Sequence, residues 1–238
     1  MVAPVVHWLA STPSTMDVAA ALVQQGAPAG TVVVADEQTA GRGRRGTSWA
    51  SPPGAGLYCS YIARPSAANL SLLTLAAGVG VREGILASTG LAVDLKWPND
   101  LILGRRKLAG ILAEGQAIGT PAQAVIIGIG INVLTSSYPP EVAVRATSLE
   151  GELGRVIDSH VLLESVRACL EVRLAQLDDT PGGILQAWRA ASPNAVGTRV
   201  SWDGKTGVTA GIDDTGALLI DTSTGGERVI AGELQWML

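Results

Sequence analysis

The sequence predicts an α+β fold in which a mixed, mostly antiparallel central sheet is flanked by helices and followed by a small all-β barrel. Four strand-like segments follow one another on short turns between residues 92 and 133, and such an arrangement implies antiparallel or mixed pairing. After residue 194 the chain changes to short strands separated by turns rich in Gly and Asp, which is typical of a small barrel. We therefore expect a large domain over residues 1–194 and a small one over residues 195–238.

In the first part of the chain, predicted helices and strands alternate. After Ser11 a cluster of Ser and Thr precedes apolar residues at helical spacing, and the run ends at Gly26, as in a capped helix. The β-branched residues 31–35 predict a buried strand, and residues 56–63 alternate in the manner of a second strand. Residues 70–88 predict a helix that a glycine ends.

In the second part, strands come first and helices return later. The strand-like segments are residues 92–97, 101–103, 108–114 and 124–133, the middle two being joined by a turn at residues 104–106. Asp158 then caps a helix with one apolar face, and residues 183–191 predict another short helix. That apolar face consists of Leu162, Val166, Leu170, Leu174 and Leu177.

Length and composition restrict the possible functions. At 238 residues, 47% of them hydrophobic, the chain can bury a full core plus a small appended domain. A net charge of −4 and a pI near 5.2 argue against a protein whose whole surface binds nucleic acid. Cys59 and Cys169 have no His or Cys nearby in sequence, which disfavours a disulfide framework or a zinc site. The start lacks a charged leader and no long apolar run occurs, so we expect a soluble cytoplasmic protein without a membrane partner.

Residues 41–46 read Gly-Arg-Gly-Arg-Arg-Gly and predict an anion-binding loop. The spacing matches the dinucleotide fingerprint, but the residues that follow include two prolines and cannot start the helix that this fingerprint requires. The protein-kinase glycine loop is excluded because its downstream motifs are absent. Glycines let backbone amides approach a ligand, and guanidinium groups make bidentate contacts to phosphate. A solvated basic surface loop is the alternative.

A second polar segment supports the anion site. Residues 96–100 read Lys-Trp-Pro-Asn-Asp and place a cation, an amide and a carboxylate at one sheet edge, which are the groups needed for a triphosphate with its magnesium. Lys107 enters an apolar strand, and strand alternation predicts that it points inward toward an anion. The turn before it could also be an exposed hairpin tip.

These motifs together resemble those of the biotin protein ligase family. The residues that carry the resemblance are Ser14-Thr15, Gln38 with residues 41–46 and Trp49, residues 96–100, residues 107–110 and residues 128–132. Their order and approximate spacing match over essentially the whole chain, including residues 211–219 near the C-terminus. The resemblance implies a catalytic domain related to class II aminoacyl-tRNA synthetases over residues 1–194 and an SH3-like β domain over residues 195–238.

The resemblance implies a two-step reaction. Biotin and MgATP give biotinyl-5′-AMP and pyrophosphate, and the acyl group then passes to a lysine of a biotin carboxyl carrier protein domain of an acyl-CoA carboxylase. Adenylation is needed because a free carboxylate is a poor electrophile, and two mutually repelling anions then require cations between them. The sequence has no direct side-chain motif for a metal, so Mg²⁺ is expected to arrive with ATP.

The resemblance also implies roles for matching residues. Biotin would contact Ser14, Thr15, Met16, Gln38, Arg42, Gly43, Arg44, Lys107 and Gly110. ATP would contact Arg44, Arg45, Trp49, Lys96, Asn99 and Asn132. The catalytic residues would be Lys107 and Arg42, which contact the reacting anions, and Asp100, which orients or deprotonates the incoming lysine.

Several of these residues also have a purely structural interpretation. Ser14 or Thr15 could serve only as a helix cap, and Gln38 could be an ordinary loop residue. Trp49 could anchor its loop to the core, and Asn132 could be a turn residue at a strand end.

The chain departs from the family pattern at Met16, where many members have Asn, at Thr47, where a basic residue is common, and at Met237, where some members have Arg. A weaker nucleotide affinity is expected. Only thirteen residues precede Ser14, so we expect no winged-helix DNA-binding domain, no nucleic-acid partner, and a monofunctional enzyme that is a monomer or a weak homodimer.

Two other functions stay open. The first is a lipoate or octanoate ligase or transferase of related architecture, whose Gly-rich and His-containing signatures are not visible, since His7 and His160 lie outside the motifs. The second is a regulatory module that binds a nucleotide without catalysis.

Overall fold

The computed structural model describes residues 5–120, 123–232 and 234–237 of the chain. Its larger sheet consists of β1 (Val6–Thr12), β2 (Val32–Gln38), β3 (Gly56–Ala63), β4 (Asp94–Lys96), β5 (Asp100–Leu103), β6 (Arg106–Gln116) and β7 (Ala124–Asn132). The order across the sheet is β1-β2-β3-β7-β6-β5-β4, and all neighbours are antiparallel except β1 and β2. The predicted mixed, mostly antiparallel sheet is confirmed.

Five α-helices accompany this sheet in the described residues. They are α1 (Thr15–Gln24), α2 (Leu73–Thr89), α3 (Leu149–Leu153), α4 (Ser159–Asp179) and α5 (Pro181–Ala191). The predicted caps are confirmed: the Ser14 side chain accepts the Met16 N–H, and the Asp158 carboxylate accepts two N–H groups at the start of α4. Gly90 ends α2 in the left-handed conformation, with φ 78°.

Strand β1 and helix α3 are absent from the sequence-based predictions. Strand β1 pairs with β2 in parallel, and α1 forms the crossover between them. Residues 1–4, which bear on the expected absence of a leader, lie outside the described residues.

The two faces of the larger sheet bury different sets of side chains because successive strand residues point to opposite sides. On one face, α1 covers Val33, Ile62 and Ile126. On the other, α2, α4 and α5 cover the main core, which includes Ile127 and Ile129. Beyond the N-terminus of α1, the first face stays open and carries the candidate site.

Helices α2 and α4 approach each other through glycines. A β-carbon placed on Gly84 would lie 2.4 Å from the Cα of Val166, and one on Gly80 would lie 2.8 Å from the Cα of Leu170. The segment Asn69–Thr89, which contains α2, is long and apolar enough to span a membrane, but 61% of its most apolar window is buried inside the protein. Its hydropathy therefore reflects a core helix.

A second, five-stranded antiparallel sheet follows a short turn at Pro193–Ala195. Its strands are β8 (Val196–Trp202), β9 (Lys205–Ile212), β10 (Leu218–Thr222), β11 (Gly225–Val229) and β12 (Gln235–Trp236), in the order β11-β10-β9-β8-β12. This sheet packs on the larger one. Trp97 Nε1 donates to the Gly216 carbonyl at 3.0 Å, and the Ser192 hydroxyl donates to the Leu95 carbonyl at 2.7 Å.

The turn that contacts Trp97 is built around Asp213. Its Oδ1 accepts the N–H groups of Thr215 and Ala217, and its Oδ2 accepts Arg228 Nε. Burial alone would raise the pKa of Asp213, but the hydrogen bonds from Arg228 and Thr215 outweigh it and hold the pKa well below its usual range.

We expect Asp213→Asn to destabilise the protein at neutral pH and to do so less as the pH falls. A carboxylate whose pKa is depressed by folding contributes stability above its unfolded pKa of about 3.9, and that contribution is lost as the pH falls toward the folded value. Thermal unfolding followed by circular dichroism from about pH 7 to about pH 3 should show the two melting curves converging. Asp214→Asn is the matched control, since that side chain is 94% exposed. A gap between Asp213→Asn and wild type that is independent of pH would contradict the role of the ionised carboxylate.

Candidate active site

A cavity of about 830 Å³ opens on the face of the larger sheet beyond α1. It is bounded by β6 and β7, by the loop of residues 41–50, by residues 137–146 and by β12 of the smaller sheet. Every site residue named from the sequence lines this cavity. The structure therefore brings the separate motifs together, while the role of each residue toward a ligand stays a prediction.

The floor of the cavity is made of glycines. Gly110 in β6 and Gly130 in β7 are cross-strand partners, and Gly128 lies two residues earlier on the same face of β7. A β-carbon on Gly130 would lie 2.5 Å from the indole of Trp49, and one on Gly128 would lie 2.8 Å from the sulfur of Met16. Flat groups can thus lie directly on the backbone of the sheet.

The sequence-based predictions give no role to Gly128 or Gly130. The alternation of Gly and Ile in β7 is nevertheless a signal for a strand face without side chains.

One end of the cavity carries a network of uncharged polar groups. Gln38 Oε1 accepts both the N–H and the hydroxyl of Thr15, at 2.9 and 3.1 Å, and Gln38 Nε2 donates to Ser51 Oγ at 2.9 Å. The Thr15 hydroxyl also meets Ser60 Oγ at 2.8 Å. Gln38 is therefore a fixed part of the wall and not an ordinary loop residue, while Ser14 is a helix cap that also faces the cavity. Ser51 and Ser60 are members of this network that the sequence-based predictions do not include.

The three arginines of the glycine loop do not converge on one point. Arg42 pairs with Asp17 at 2.5 Å and with Glu114 at 3.3 Å. The hydrogen bond that Arg42 donates to Asp17 raises the pKa of Arg42 against the opposing effect of partial burial. Arg44 donates to Asn99 Oδ1 at 3.1 Å and to the Gly232 carbonyl at 3.2 Å. Arg45 is exposed and has a left-handed backbone, with φ 52°. The loop is thus held by acidic and carbonyl groups on both sides.

Lys107 stands in the cavity wall. Its Nζ lies 2.7 Å from Asp100 Oδ1 in an ion pair and 5.2 Å from the centroid of the Trp49 ring. The side chain is 36% exposed. Lys107 thus lines the cavity beside an anionic side chain while staying only partly buried. Opposite it, the pairing of β5 with β6 shifts register between Leu101 and Ile102.

Asn132 ties the end of β7 to residues 145–147 of the cavity wall. Its Nδ2 donates to the Thr147 carbonyl at 2.9 Å and to the Lys107 carbonyl at 3.4 Å. The backbone of Lys107 also bonds to that wall, since its N–H donates to the Arg145 carbonyl and its carbonyl accepts the Thr147 N–H. Asn132 is buried, and its amide joins β7 to residues 145–147. Its role is therefore not limited to that of a turn residue at a strand end.

Cys59 also lines the cavity but is not a nucleophile. Burial raises the pKa of its thiol to about 12, so the thiolate is scarce at neutral pH. Both cysteines are free, and Cys169 is half-buried.

Comparisons with known proteins agree with this geometry. Residues 8–132 match the model of the biotin/lipoate A/B protein ligase family. A bifunctional ligase/repressor BirA of Bacillus subtilis is 37% identical over 232 residues, which is 93% of this chain and 71% of the relative. A biotin–[acetyl-CoA-carboxylase] ligase of Paracoccus denitrificans is 34% identical over 85% of this chain and 88% of the relative. A solved structure of a biotin protein ligase from Aquifex aeolicus in complex with biotin and ATP superimposes with a TM-score of 0.84 at 31% identity, covering 98% of both chains. The chain therefore belongs to the biotin/lipoate A/B protein ligase family.

Proposed function

We propose that this protein is an ATP-dependent biotin protein ligase, which makes biotinyl-5′-AMP and transfers biotin to a lysine of a biotin carboxyl carrier protein domain. The observation that carries this proposal is the continuity of the cavity. One wall holds the neutral network of Thr15 and Gln38, and the same space then reaches Lys107 and finally Lys96 and Asn99. A neutral polar head, a carboxylate and a triphosphate would meet these groups in that order.

The neutral end suits the ureido ring of biotin, which offers one carbonyl acceptor and two N–H donors. The Thr15 and Ser60 hydroxyls can each donate or accept, and Gln38 is oriented by three hydrogen bonds. A prearranged polar network discriminates strongly against a substrate that cannot satisfy it. This favours biotin over lipoate or octanoate, neither of which has a ureido group.

In the first step, an oxygen of the biotin carboxylate attacks the α-phosphorus of ATP and pyrophosphate leaves. We propose that Lys107 lies between these two anions and that Arg42 exchanges its acidic partners for the substrate. In the second step, the amine of the carrier lysine attacks the acyl carbon and AMP leaves. Asp100 lies beside Lys107 and is the carboxylate proposed to receive a proton from the incoming amine.

Magnesium would enter with the nucleotide. The described residues contain no group of three or more His, Cys, Asp or Glu side chains suited to a metal. The oxygen atoms of Asn99 and Asp100 line the nucleotide end and suit a hard cation that keeps most of its ligands from phosphate and water. Mg²⁺ would neutralise phosphate charge when bound.

We also propose that the chain has two domains with a boundary at residue 194. Residues 1–194 would bind biotin and ATP and carry out the reaction, and residues 195–238 would form a supporting β domain. The proposed carrier belongs to an acyl-CoA carboxylase, and the proposed location is the cytoplasm.

We expect the protein to catalyse pyrophosphate exchange into ATP that depends on biotin, with lipoate and octanoate at least about 100-fold less effective. Radiolabelled pyrophosphate and each acid in turn provide the measurement. Exchange with lipoate or octanoate alone would reassign the substrate, and binding of ATP without exchange for any acid would favour the noncatalytic module.

A further inference from the structure

The chain carries its positive charge almost entirely as arginine. The sequence has fourteen arginines and only three lysines, Lys96, Lys107 and Lys205. The first two lysines line the cavity, and Lys205 begins β9 of the smaller sheet. This ratio bears on the proposed reaction, because its first step makes an activated acyl group and the acceptor of that group is the amine of a lysine.

Two of the three lysines are held by carboxylates. Lys107 Nζ lies 2.7 Å from Asp100 Oδ1, and Lys205 Nζ donates to both carboxylate oxygens of Glu227 at 2.9 and 2.8 Å. A nitrogen that donates to a carboxylate in this way carries its proton and has no lone pair with which to attack an acyl carbon. Of the three lysines only Lys205 is exposed, and it does not line the cavity.

The mouth of the cavity is lined by arginines instead. Arg45 in the glycine loop, Arg105 in the turn between β5 and β6, and Arg145 all line the cavity and are exposed, and we call them the mouth arginines. Among the residues that the structure describes, their guanidinium groups make no hydrogen bond or ion pair. Arg145 lies close to the proposed reaction site, because its carbonyl accepts the N–H of Lys107 at 2.7 Å. The mouth is therefore positively charged and attracts anionic substrates such as biotin and ATP.

A guanidinium group and an ammonium group carry the same charge but differ toward an acylating agent. The guanidinium group stays protonated in proteins and offers no nucleophilic nitrogen. A lysine amine has an unperturbed pKa of about 10.4, and neighbouring positive charges lower it. A lysine among the mouth arginines would therefore have a larger share of the nucleophilic form, and it would compete with the carrier lysine for the acyl group.

We propose that the mouth arginines are specificity-determining residues, which supply positive charge without offering an amine, so that the acyl group passes to the carrier and not to the enzyme. The reaction that they prevent is attack of a lysine Nζ of the enzyme on the acyl carbon of biotinyl-5′-AMP. In that reaction an amide bond forms, the bond from the acyl carbon to the phosphate oxygen breaks, AMP leaves and the nitrogen loses a proton. This inference rests on the proposed function, because it requires the adenylate to form in the cavity.

The test places a lysine at the mouth, in Arg145→Lys and separately in Arg105→Lys. Each variant is incubated with biotin and ATP in the absence of carrier, and intact-mass spectrometry counts the biotinyl groups that become attached. We expect each variant to label itself at least about tenfold faster than the wild type, because the new amine would be held beside the activated acyl group. Peptide mass spectrometry should locate the label on the new lysine.

Arg199→Lys is the matched control. Arg199 is exposed in β8 of the smaller sheet and does not line the cavity, so the same replacement there should leave self-labelling at the wild-type rate. Arg145→Gln removes the charge at the mouth without adding an amine, and it should also label itself no faster than the wild type.

Biotin-dependent pyrophosphate exchange, measured on every variant, shows whether the adenylate forms. If the wild type shows no exchange, the proposed function fails. If exchange occurs, this inference is overturned by mouth variants that stay unlabelled, by a wild type that labels itself as fast as they do, or by equal labelling of Arg199→Lys and Arg145→Lys. Loss of exchange in both mouth variants would also contradict it, because the guanidinium groups would then act in adenylation itself.

Discussion

Replacing Lys107 with alanine should reduce the rate of biotin-dependent pyrophosphate exchange about 100- to 1,000-fold. This is the usual loss when one preorganised group that stabilises a transition state is removed. Lys107 Nζ is the cation on the cavity wall between the neutral polar network and the nucleotide end. Without it, the biotin carboxylate and the α-phosphate would approach each other with less neutralising charge. Initial rates of exchange at saturating ATP and biotin provide the measurement.

The fold should tolerate this change, because the hydrogen bonds that tie residue 107 to residues 145–147 come from its backbone. Circular dichroism and the melting temperature should therefore stay near those of the wild type. Lys205→Ala is the matched control, since it removes a lysine of the smaller sheet that pairs with Glu227 and does not line the cavity. A wild-type exchange rate in Lys107→Ala would remove Lys107 from the mechanism.

Gly84→Ala should lower the free energy of unfolding by about 1–3 kcal/mol, the cost typical of an added methyl group in a packed core. In an ordinary helix, alanine is more stable than glycine by roughly 0.5–1 kcal/mol, so the expected sign is reversed here. The reason is the backbone of α4, because a β-carbon at residue 84 would lie 2.4 Å from the Cα of Val166 and 2.7 Å from its nitrogen. Urea unfolding followed by circular dichroism measures the change.

Gly182→Ala is the control for this prediction. Gly182 lies in the first turn of α5, and a β-carbon there would have no heavy atom within 4 Å. The control should be neutral or slightly more stable than the wild type, because it gains helix propensity without a clash. If Gly84→Ala also gained stability, the close approach of α2 and α4 would not be a constraint on the fold.

Most of the fold could be predicted from local patterns. The strand at residues 56–63, the four successive strands after residue 92 and the caps at Ser14 and Asp158 all follow from alternation, turn residues and capping side chains, which act over a few neighbouring residues. Strand β1 could not be found in the same way. It is an edge strand, and several of its residues are exposed. Its register depends on β2, which lies twenty-six residues away in the pairing of Val6 with Val32.

The sequence by itself determined which motifs form the candidate site, since those around Ser14, Gln38, Gly41, Lys96, Lys107 and Asn132 all line one cavity. Only the tertiary structure decided what each charged or aromatic group contacts there. It paired Arg42 with Asp17 and Glu114, left Lys107 half-exposed beside Asp100, and placed Trp236 of the smaller sheet over Lys96. These contacts join residues far apart in the chain, and the energy of a charge or ring contact depends on distances of a few ångströms that only the packing of sheets and helices sets.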